Sequence, residues 1–198
     1  MVEDAPSPEN FAVTAAAFEG GIAVLAVGLG WLCAAPPLQT FSWSWPDAAW
    51  GAAATLPPLA LLWLCLKCPL RPFARIIQVI DEVLTPLFAQ CGLLEFAVIA
   101  LLAGLGEEML FRGVIQSALA GWLGGDIGMW LALAIAAVLF GLAHAITFTY
   151  FLLAGLIGLY LGWVWLLTGN LLVPIVAHAG YDFIALIYLV RIRPHKVA

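Results

Sequence analysis

Long apolar segments alternate with short polar ones along most of the chain. A helix that crosses a membrane needs about 20 mainly apolar residues. The pattern therefore predicts an all-α, polytopic membrane bundle of about six transmembrane helices. The predicted spans are residues 11–35, 48–66, 92–120, 128–147, 149–168 and 171–190.

Two of these spans are expected to depart from a straight, perpendicular helix. The second contains Pro57 and Pro58, which predict a kink or a shallow position in the membrane. The third is long enough to be tilted or to run past one interface.

Residues 71–90, between the second and third spans, follow a different pattern. Apolar residues recur there at helical spacing, with polar residues at the other positions. This favours one amphipathic connecting helix that lies on the membrane surface or covers the bundle, although an ordinary packed connector fits the same pattern. The apolar positions are Phe73, Ile76, Ile77, Ile80, Leu84, Leu87 and Phe88.

Composition supports the membrane assignment. The chain is 65% hydrophobic and 10% charged, with a net charge of −5, whereas soluble domains are about half apolar and a quarter charged. We expect one integral membrane domain over residues 1–198, with a short polar tail at 1–10 and the lipid bilayer as a partner. No basic footprint of a nucleic-acid-binding protein is present.

Basic residues cluster in two regions that four predicted spans separate. Both regions can then lie on the cytoplasmic side, as the positive-inside rule prefers, and the C-terminus is predicted to be cytoplasmic. The residues are Lys67, Arg71 and Arg75 in one loop, and Arg191, Arg193 and Lys196 in the C-terminal tail.

The cysteines suggest little chemistry. Cys65 and Cys68 form a CLKC pair that a redox or metal site can use. No second pair or nearby histidine completes such a site, so free thiols are favoured.

Two adjacent glutamates and an arginine interrupt the third span, in GLGEEMLFRG at 104–113. Glu108 and Arg112 are four residues apart, so on a helix they share a face and can form a supporting ion pair. Glu107 points about 100° away from Glu108 and has no helix-mate of opposite charge. A carboxylate without a cation suits a general base. The alternatives are that both glutamates share Arg112, or that Glu107 bonds a neighbouring helix.

Two histidines in other spans strengthen the case for chemistry. His144 ends the fourth span, whereas His178 and Asp182 are four apart on one face of the sixth. Together with Glu107 these groups can hold and polarise a water and stabilise an oxyanion. Zinc bound by Glu107, His144 and His178 is the alternative. With straight helices His144 lies at a different depth from the others, so kinks at Gly104, Gly106 or Pro174 are candidates for bringing them together.

Three motifs occur in a specific order across these apolar spans. EEMLFR (107–112) reads as EExxxR, FGLAH (140–144) as FxxxH, and HAGYD (178–182) as HxxxN/D. In that order they resemble the CPBP family of intramembrane proteases, which includes type II CAAX prenyl endopeptidases and bacteriocin-processing or immunity proteins. The resemblance extends over a predicted protease core at residues 93–190.

The resemblance implies a glutamate-dependent endopeptidase that acts near or inside the membrane. It implies that Glu107 is the general base, that His144 helps to activate water, and that His178 and Asp182 stabilise the oxyanion. The implied substrate is a membrane-associated protein or peptide, prenylated or not, and no cofactor is implied. The expected location is a prokaryotic inner membrane.

Asp182 needs a separate interpretation, because many relatives carry Asn at this position. An ionised Asp cannot donate a hydrogen bond to an oxyanion. We therefore favour a role in which Asp182 orients His178 by accepting its ring N–H. Two other functions stay open: a non-catalytic immunity or scaffolding protein of the same family, and a small transporter or proton relay.

Overall fold

The computed structural model describes residues 8–193, and within that range the chain consists of helices joined by short connections, without a strand. The predicted all-α class is confirmed. The α-helices are α1 (Pro8–Leu32), α2 (Trp45–Ala54), α3 (Leu56–Lys67), α4 (Arg71–Val79), α5 (Thr85–Phe88), α6 (Leu93–Glu108), α7 (Ser117–Leu123), α8 (Gly125–Ala143), α9 (Phe148–Thr168) and α10 (Leu172–Ile187), and π-helical segments lie at Ile80–Leu84, Met109–Gln116 and Tyr188–Ile192.

Five helices in the described range are long and apolar enough to cross a membrane. A sixth span results if a bent pair of helices, Arg71–Phe88 with Leu93–Leu123, counts as one. The polytopic bundle of about six spans is therefore confirmed. The five are Phe11–Leu32, Trp45–Lys67, Gly125–Ala143, Phe148–Thr168 and Leu172–Ile192.

Several boundaries differ from the predicted ones. α1 begins at Pro8, inside the predicted polar tail, and residues 1–7 lie outside the described part of the chain. The expected loop after the third span shrinks to a turn at Gly124, and α8 starts at Gly125. Both glycines have positive φ, 66° and 63°. Such values are accessible to glycine at little cost, so the chain reverses over fewer residues than the apolar pattern suggested.

The second span has a break at Thr55, next to the prolines that predicted a kink or a shallow position. α2 ends at Ala54 and α3 begins at Leu56, with Pro57 and Pro58 in the first turn of α3. A proline has no N–H to donate, and the first turn of a helix is where that loss costs least. The buried Thr55 hydroxyl bonds the carbonyls of Gly51 and Ala177, which fixes the break against α10.

The connecting region 71–90 is helical and turns sharply into the next helix, with an angle of 115° between Arg71–Phe88 and Leu93–Leu123. In α4 the charged Arg71 and Arg75 are exposed, whereas Phe73, Ile76 and Ile77 are half-buried. The predicted amphipathic connecting helix is therefore present, continued by a π-helical turn and α5.

α6 lies between α1 and α10 and packs against both, whereas α8 packs against α9. Small residues make these approaches possible. A Cβ at Gly104 would lie 2.8 Å from the Ala179 nitrogen of α10, and one at Gly106 would lie 2.7 Å from the Glu19 carbonyl oxygen of α1. Gly104 and Gly106 thus act as points of close contact within α6. The irregular backbone is instead the π-helical segment that follows Glu108.

Many large apolar side chains point outwards. Trp31 is 83% exposed and Val24 is 74% exposed, a pattern that suits a surface covered by lipid tails. Much of the interior is built from small residues, which include Ala26, Ala100, Ala132, Ala136 and Ala177.

The two basic regions meet at one end of the bundle. Arg193 forms an ion pair with Asp81, and Arg191 donates to the Cys91 carbonyl, so the C-terminal segment rests on the connecting region. Arg71 and Arg75 begin that same region. This proximity agrees with the charge pattern, while Lys196 lies outside the described residues.

Candidate active site

Glu107 and Glu108 end α6, where the helix is enclosed by its neighbours. Glu107 is 7% exposed and Glu108 is 0% exposed. Burying a carboxylate costs free energy unless a charge or hydrogen bond compensates it. The surroundings of the two side chains decide how each is accommodated.

Glu108 is compensated from two sides. Its Oε1 atom accepts a hydrogen bond from Arg112 Nη1 at 2.8 Å and faces His178 Nδ1, also at 2.8 Å. Arg112 also donates to the Gly158 carbonyl at 2.6 Å, and its guanidinium carbon lies 4.9 Å from the centre of the Phe140 ring. The expected pair of Glu108 and Arg112 is therefore present and forms part of a larger network.

Glu107 lacks such compensation. Its Oε2 atom is buried and has no hydrogen-bond partner among the described residues. The nearest basic nitrogen that faces it is His144 Nε2, at 3.6 Å. That distance exceeds a direct hydrogen bond. Glu107 is thus an acceptor that is free to engage another molecule.

His144 is held in one orientation at the C-terminal end of α8. Its Nδ1 lies 2.8 Å from the Phe140 carbonyl, which can only accept, so Nδ1 carries a proton. In the neutral ring Nε2 is then unprotonated, and it is this atom that faces Glu107. The ring also stacks on Phe140 with centroids 4.5 Å apart. Nε2 and the Glu107 carboxylate therefore present two acceptors to the same space.

His178 lies between two carboxylates. Glu108 Oε1 already accepts from Arg112, so it also accepts from His178 Nδ1, while Nε2 lies 3.4 Å from Asp182 Oδ2. Asp182 is the more open of the two partners, with 29% of its side chain exposed. The expected contact of Asp182 with His178 is present, although it is longer than an ordinary hydrogen bond.

The six residues singled out in the sequence therefore meet in one place. α6 with its π-helical continuation contributes Glu107, Glu108 and Arg112, α8 contributes His144, and α10 contributes His178 and Asp182. Glu95, another acidic residue of the predicted third span, is exposed in the first turn of α6, where its carboxylate accepts the Gly92 N–H.

Sequence reasoning missed two features of the site. The contact between Glu108 and His178 spans 70 positions, and no local spacing signals it. The ring of Phe140 contacts His144, His178 and Phe111. This motif residue therefore also packs against the histidines of the site. Glu19 of α1 is recognisable in the sequence as an acidic residue inside the predicted span 11–35, but the sequence does not place it near these residues.

The described residues do not fit the alternative zinc site. No group of three His, Cys, Asp or Glu side chains in residues 8–193 is placed to hold a metal ion. Both ring nitrogens of His178 face carboxylates, which leaves neither directed with Glu107 and His144 at a common point. We derive no step through a metal. The four cysteines, including the CLKC pair, are free thiols.

Comparison with known protein families decides the assignment. Residues 89–184 match the model of the family described as type II CAAX prenyl endopeptidase Rce1-like. This segment, just under half of the chain, is similar to the Rce1-like family. The resemblance to CPBP intramembrane proteases is therefore confirmed. A search of curated proteins found no match, and a search of solved structures found none either.

The Rce1-like segment contains all six of the residues that meet in the bundle, from Glu107 to Asp182. The family consists in general of proteases that act on membrane-associated peptide substrates. Together with the apolar helices, this match supports an integral, multi-pass membrane protein. α1, which carries Glu19, lies outside the matched segment.

Proposed function

We propose that this protein is an intramembrane endopeptidase that hydrolyses a peptide bond with a water activated by Glu107 and His144. The observation that carries the proposal is the facing pair of acceptors, Glu107 Oε2 and His144 Nε2, 3.6 Å apart. A water in contact with both can donate one hydrogen to each, which leaves its lone pairs free for a carbonyl carbon.

The reaction follows from these positions. Glu107 removes a proton as the water oxygen bonds to the carbonyl carbon, and the carbonyl oxygen becomes an oxyanion. When the C–N bond breaks, Glu107 returns that proton to the leaving amine. Atoms and charges balance, and Glu107 is an ionised carboxylate again at the end of the cycle.

His178 is suited to stabilise the oxyanion. Glu108 holds its Nδ1, which fixes the ring and leaves Nε2 near the more exposed Asp182. A proton on Nε2 can then be donated either to Asp182 or to the oxyanion. Asp182 acts as a positioning residue that holds this N–H ready until the substrate takes its place.

Glu108 and Arg112 support the site without taking part in bond changes. Both are fully buried, and the Gly158 carbonyl occupies the second guanidinium nitrogen of Arg112. Glu108 and Arg112 neutralise each other, and the carboxylate of Glu108 is also a fixed acceptor for the His178 ring.

The proposed substrate is a peptide segment anchored in or near the bilayer, with or without a prenyl group. Because both basic regions lie at one end of the bundle, we place that end and the C-terminus in the cytoplasm. A prokaryotic inner membrane is the proposed location.

The experiment that tests this function compares two substitutions in α6. Purified wild-type protein, Glu107→Gln and Glu95→Gln are assayed in liposomes for cleavage of a library of lipid-anchored peptides. Loss of cleavage in Glu107→Gln, with cleavage retained in Glu95→Gln, supports the proposal. If folded Glu107→Gln cleaves like the wild type, the proposed role of Glu107 is wrong. A biological function that survives this substitution is what a non-catalytic immunity or scaffolding protein would show.

A further inference from the structure

α1 crosses α6 in direct contact beside the proposed catalytic glutamate. A Cβ at Gly106 would lie 2.7 Å from the Glu19 carbonyl oxygen and 3.2 Å from the Ala23 nitrogen. Gly106 directly precedes Glu107. The backbones of the two helices therefore meet at the position where α1 carries Glu19.

The Glu19 side chain faces the site rather than the lipid. Its carboxylate interacts electrostatically with groups from three other elements: Glu107, Asp182, His178 and His144. Glu19 Oε2 is buried and, among the described residues, has no hydrogen-bond partner. This oxygen and the equally unpartnered Oε2 of Glu107 are two open acceptors in one site.

The charges around these acceptors do not balance. Glu108 is neutralised by Arg112, and the other guanidinium nitrogen of Arg112 is occupied by the Gly158 carbonyl. The carboxylates of Glu19, Glu107 and Asp182 then face two histidines. An uncompensated carboxylate is costly in a low-dielectric interior, and a cation that enters with the substrate offsets that cost.

We propose that Glu19 is a specificity-determining residue that pairs with a Lys or Arg side chain close to the scissile bond of the substrate. This inference rests on the proposed endopeptidase function and adds the substrate class, a membrane-associated segment with a basic residue near the cleavage point. Opposite charge favours such a substrate, and an acidic residue at the same place is repelled by three carboxylates. Glu19 takes no part in the bond changes.

Cleavage profiling tests the inference directly. Wild type, Glu19→Gln and the control Glu95→Gln are incubated in phosphatidylcholine liposomes with a lipid-anchored peptide library randomised around its centre, and cut positions are read by mass spectrometry. We expect wild type and Glu95→Gln to prefer Lys or Arg near the cut by about tenfold or more in kcat/KM. In Glu19→Gln that preference disappears, while peptides that are neutral there are still cleaved.

Three outcomes overturn the inference: no basic preference in the wild type, an unchanged preference in Glu19→Gln, or loss of all cleavage in a folded Glu19→Gln protein. If Glu19→Gln does not fold, Glu19→Met and Glu19→Asp replace it. The apolar variant should lose the preference, and the acidic one should keep part of it.

A binding assay separates this inference from the proposed hydrolysis. Capture of the same library is compared between Glu107→Gln and the double variant Glu107→Gln/Glu19→Gln. Enrichment of Lys or Arg peptides that depends on Glu19 supports the specificity role even if the wild type hydrolyses nothing, in which case only the proposed hydrolysis fails. Equal capture by both variants contradicts the role of Glu19.

Discussion

His178 Nδ1 lies 2.8 Å from Glu108 Oε1, and this contact joins the ion pair of α6 to the third motif of the chain. The same oxygen accepts from Arg112. One carboxylate therefore fixes a guanidinium and an imidazole together. The neighbouring Glu107 is left outside this network, so the two adjacent glutamates are expected to respond differently to the same substitution.

Glu108→Gln should lower stability and activity together. The change removes the charge that compensates the fully buried Arg112, and breaking a buried pair from one side costs about 3 to 5 kcal/mol. It also weakens the acceptor that orients His178. Unfolding in mixed detergent micelles and peptide cleavage measure the two effects.

Glu107→Gln should abolish cleavage without loss of stability, since Glu107 Oε2 has no hydrogen-bond partner to lose among the described residues. Equal stability of the two variants would contradict the network described here.

Asp182→Asn and Asp182→Ala should separate two roles of this side chain. If Asp182 only positions His178, Asn keeps an oxygen that accepts the ring N–H and adds an amide that can donate to the oxyanion. We expect Asn to retain cleavage and Ala to lower kcat by about 10 to 100-fold with little change in KM. An Asn variant as impaired as the Ala variant would show that the negative charge itself is required.

Phe140→Leu should impair cleavage, because the Phe140 ring helps to position the rings of His144 and His178. The Phe140 ring stacks on His144 and lies beneath the Arg112 guanidinium, whereas the ring of Phe148 is 75% exposed. Phe148→Leu is therefore the matched control and should behave like the wild type in kcat and in unfolding temperature. The idea fails if both substitutions have the same effect on kcat.

Gly106→Ala should push α1 away from α6. The added Cβ would come within 2.7 Å of the Glu19 carbonyl, an approach that real structures do not tolerate without a backbone shift. A Cβ added at Gly121 of α7 would meet no neighbouring atom within 4 Å, so Gly121→Ala should be neutral or stabilising by about 0.5 to 1 kcal/mol through helix propensity. We expect Gly106→Ala to reduce stability, measured by unfolding in detergent, and with it the basic preference of cleavage. A harmless Gly106→Ala would show that the contact between α1 and α6 is looser than described.

Removal of metal ions should leave cleavage unchanged. The proposed reaction uses a water held by Glu107 and His144, and the described side chains do not form a three-ligand group. Cleavage is measured after dialysis against a strong chelator, with the metal content of the same sample determined. Activity that is lost on chelation and restored by zinc would favour the zinc alternative.

Helix class and approximate spans were readable from the sequence because lipid imposes a strong, local rule on each segment. Apolar length alone predicted the spans, and the prolines at 57 and 58 predicted the interruption now seen at Thr55. Turn lengths were harder to predict than helices. The chain reversal at Gly124 depends on a positive φ, which glycine can adopt but which the presence of a glycine does not predict. The pair of Glu108 and Arg112 was accessible for a similar reason, since a spacing of four on one helix is a local property.

Tertiary structure decided which of the scattered polar residues meet. Nothing in the sequence places His178 on Glu108 or Glu19 beside Glu107, because each contact joins helices whose relative rotation and depth are set by packing. Gly104 and Gly106 illustrate the difference. In the sequence they were candidate kink sites, and in the fold they are the positions where α10 and α1 contact α6. The sequence by itself determined which side chains carry charge inside the membrane. Close packing of small residues determined that these charges share one site.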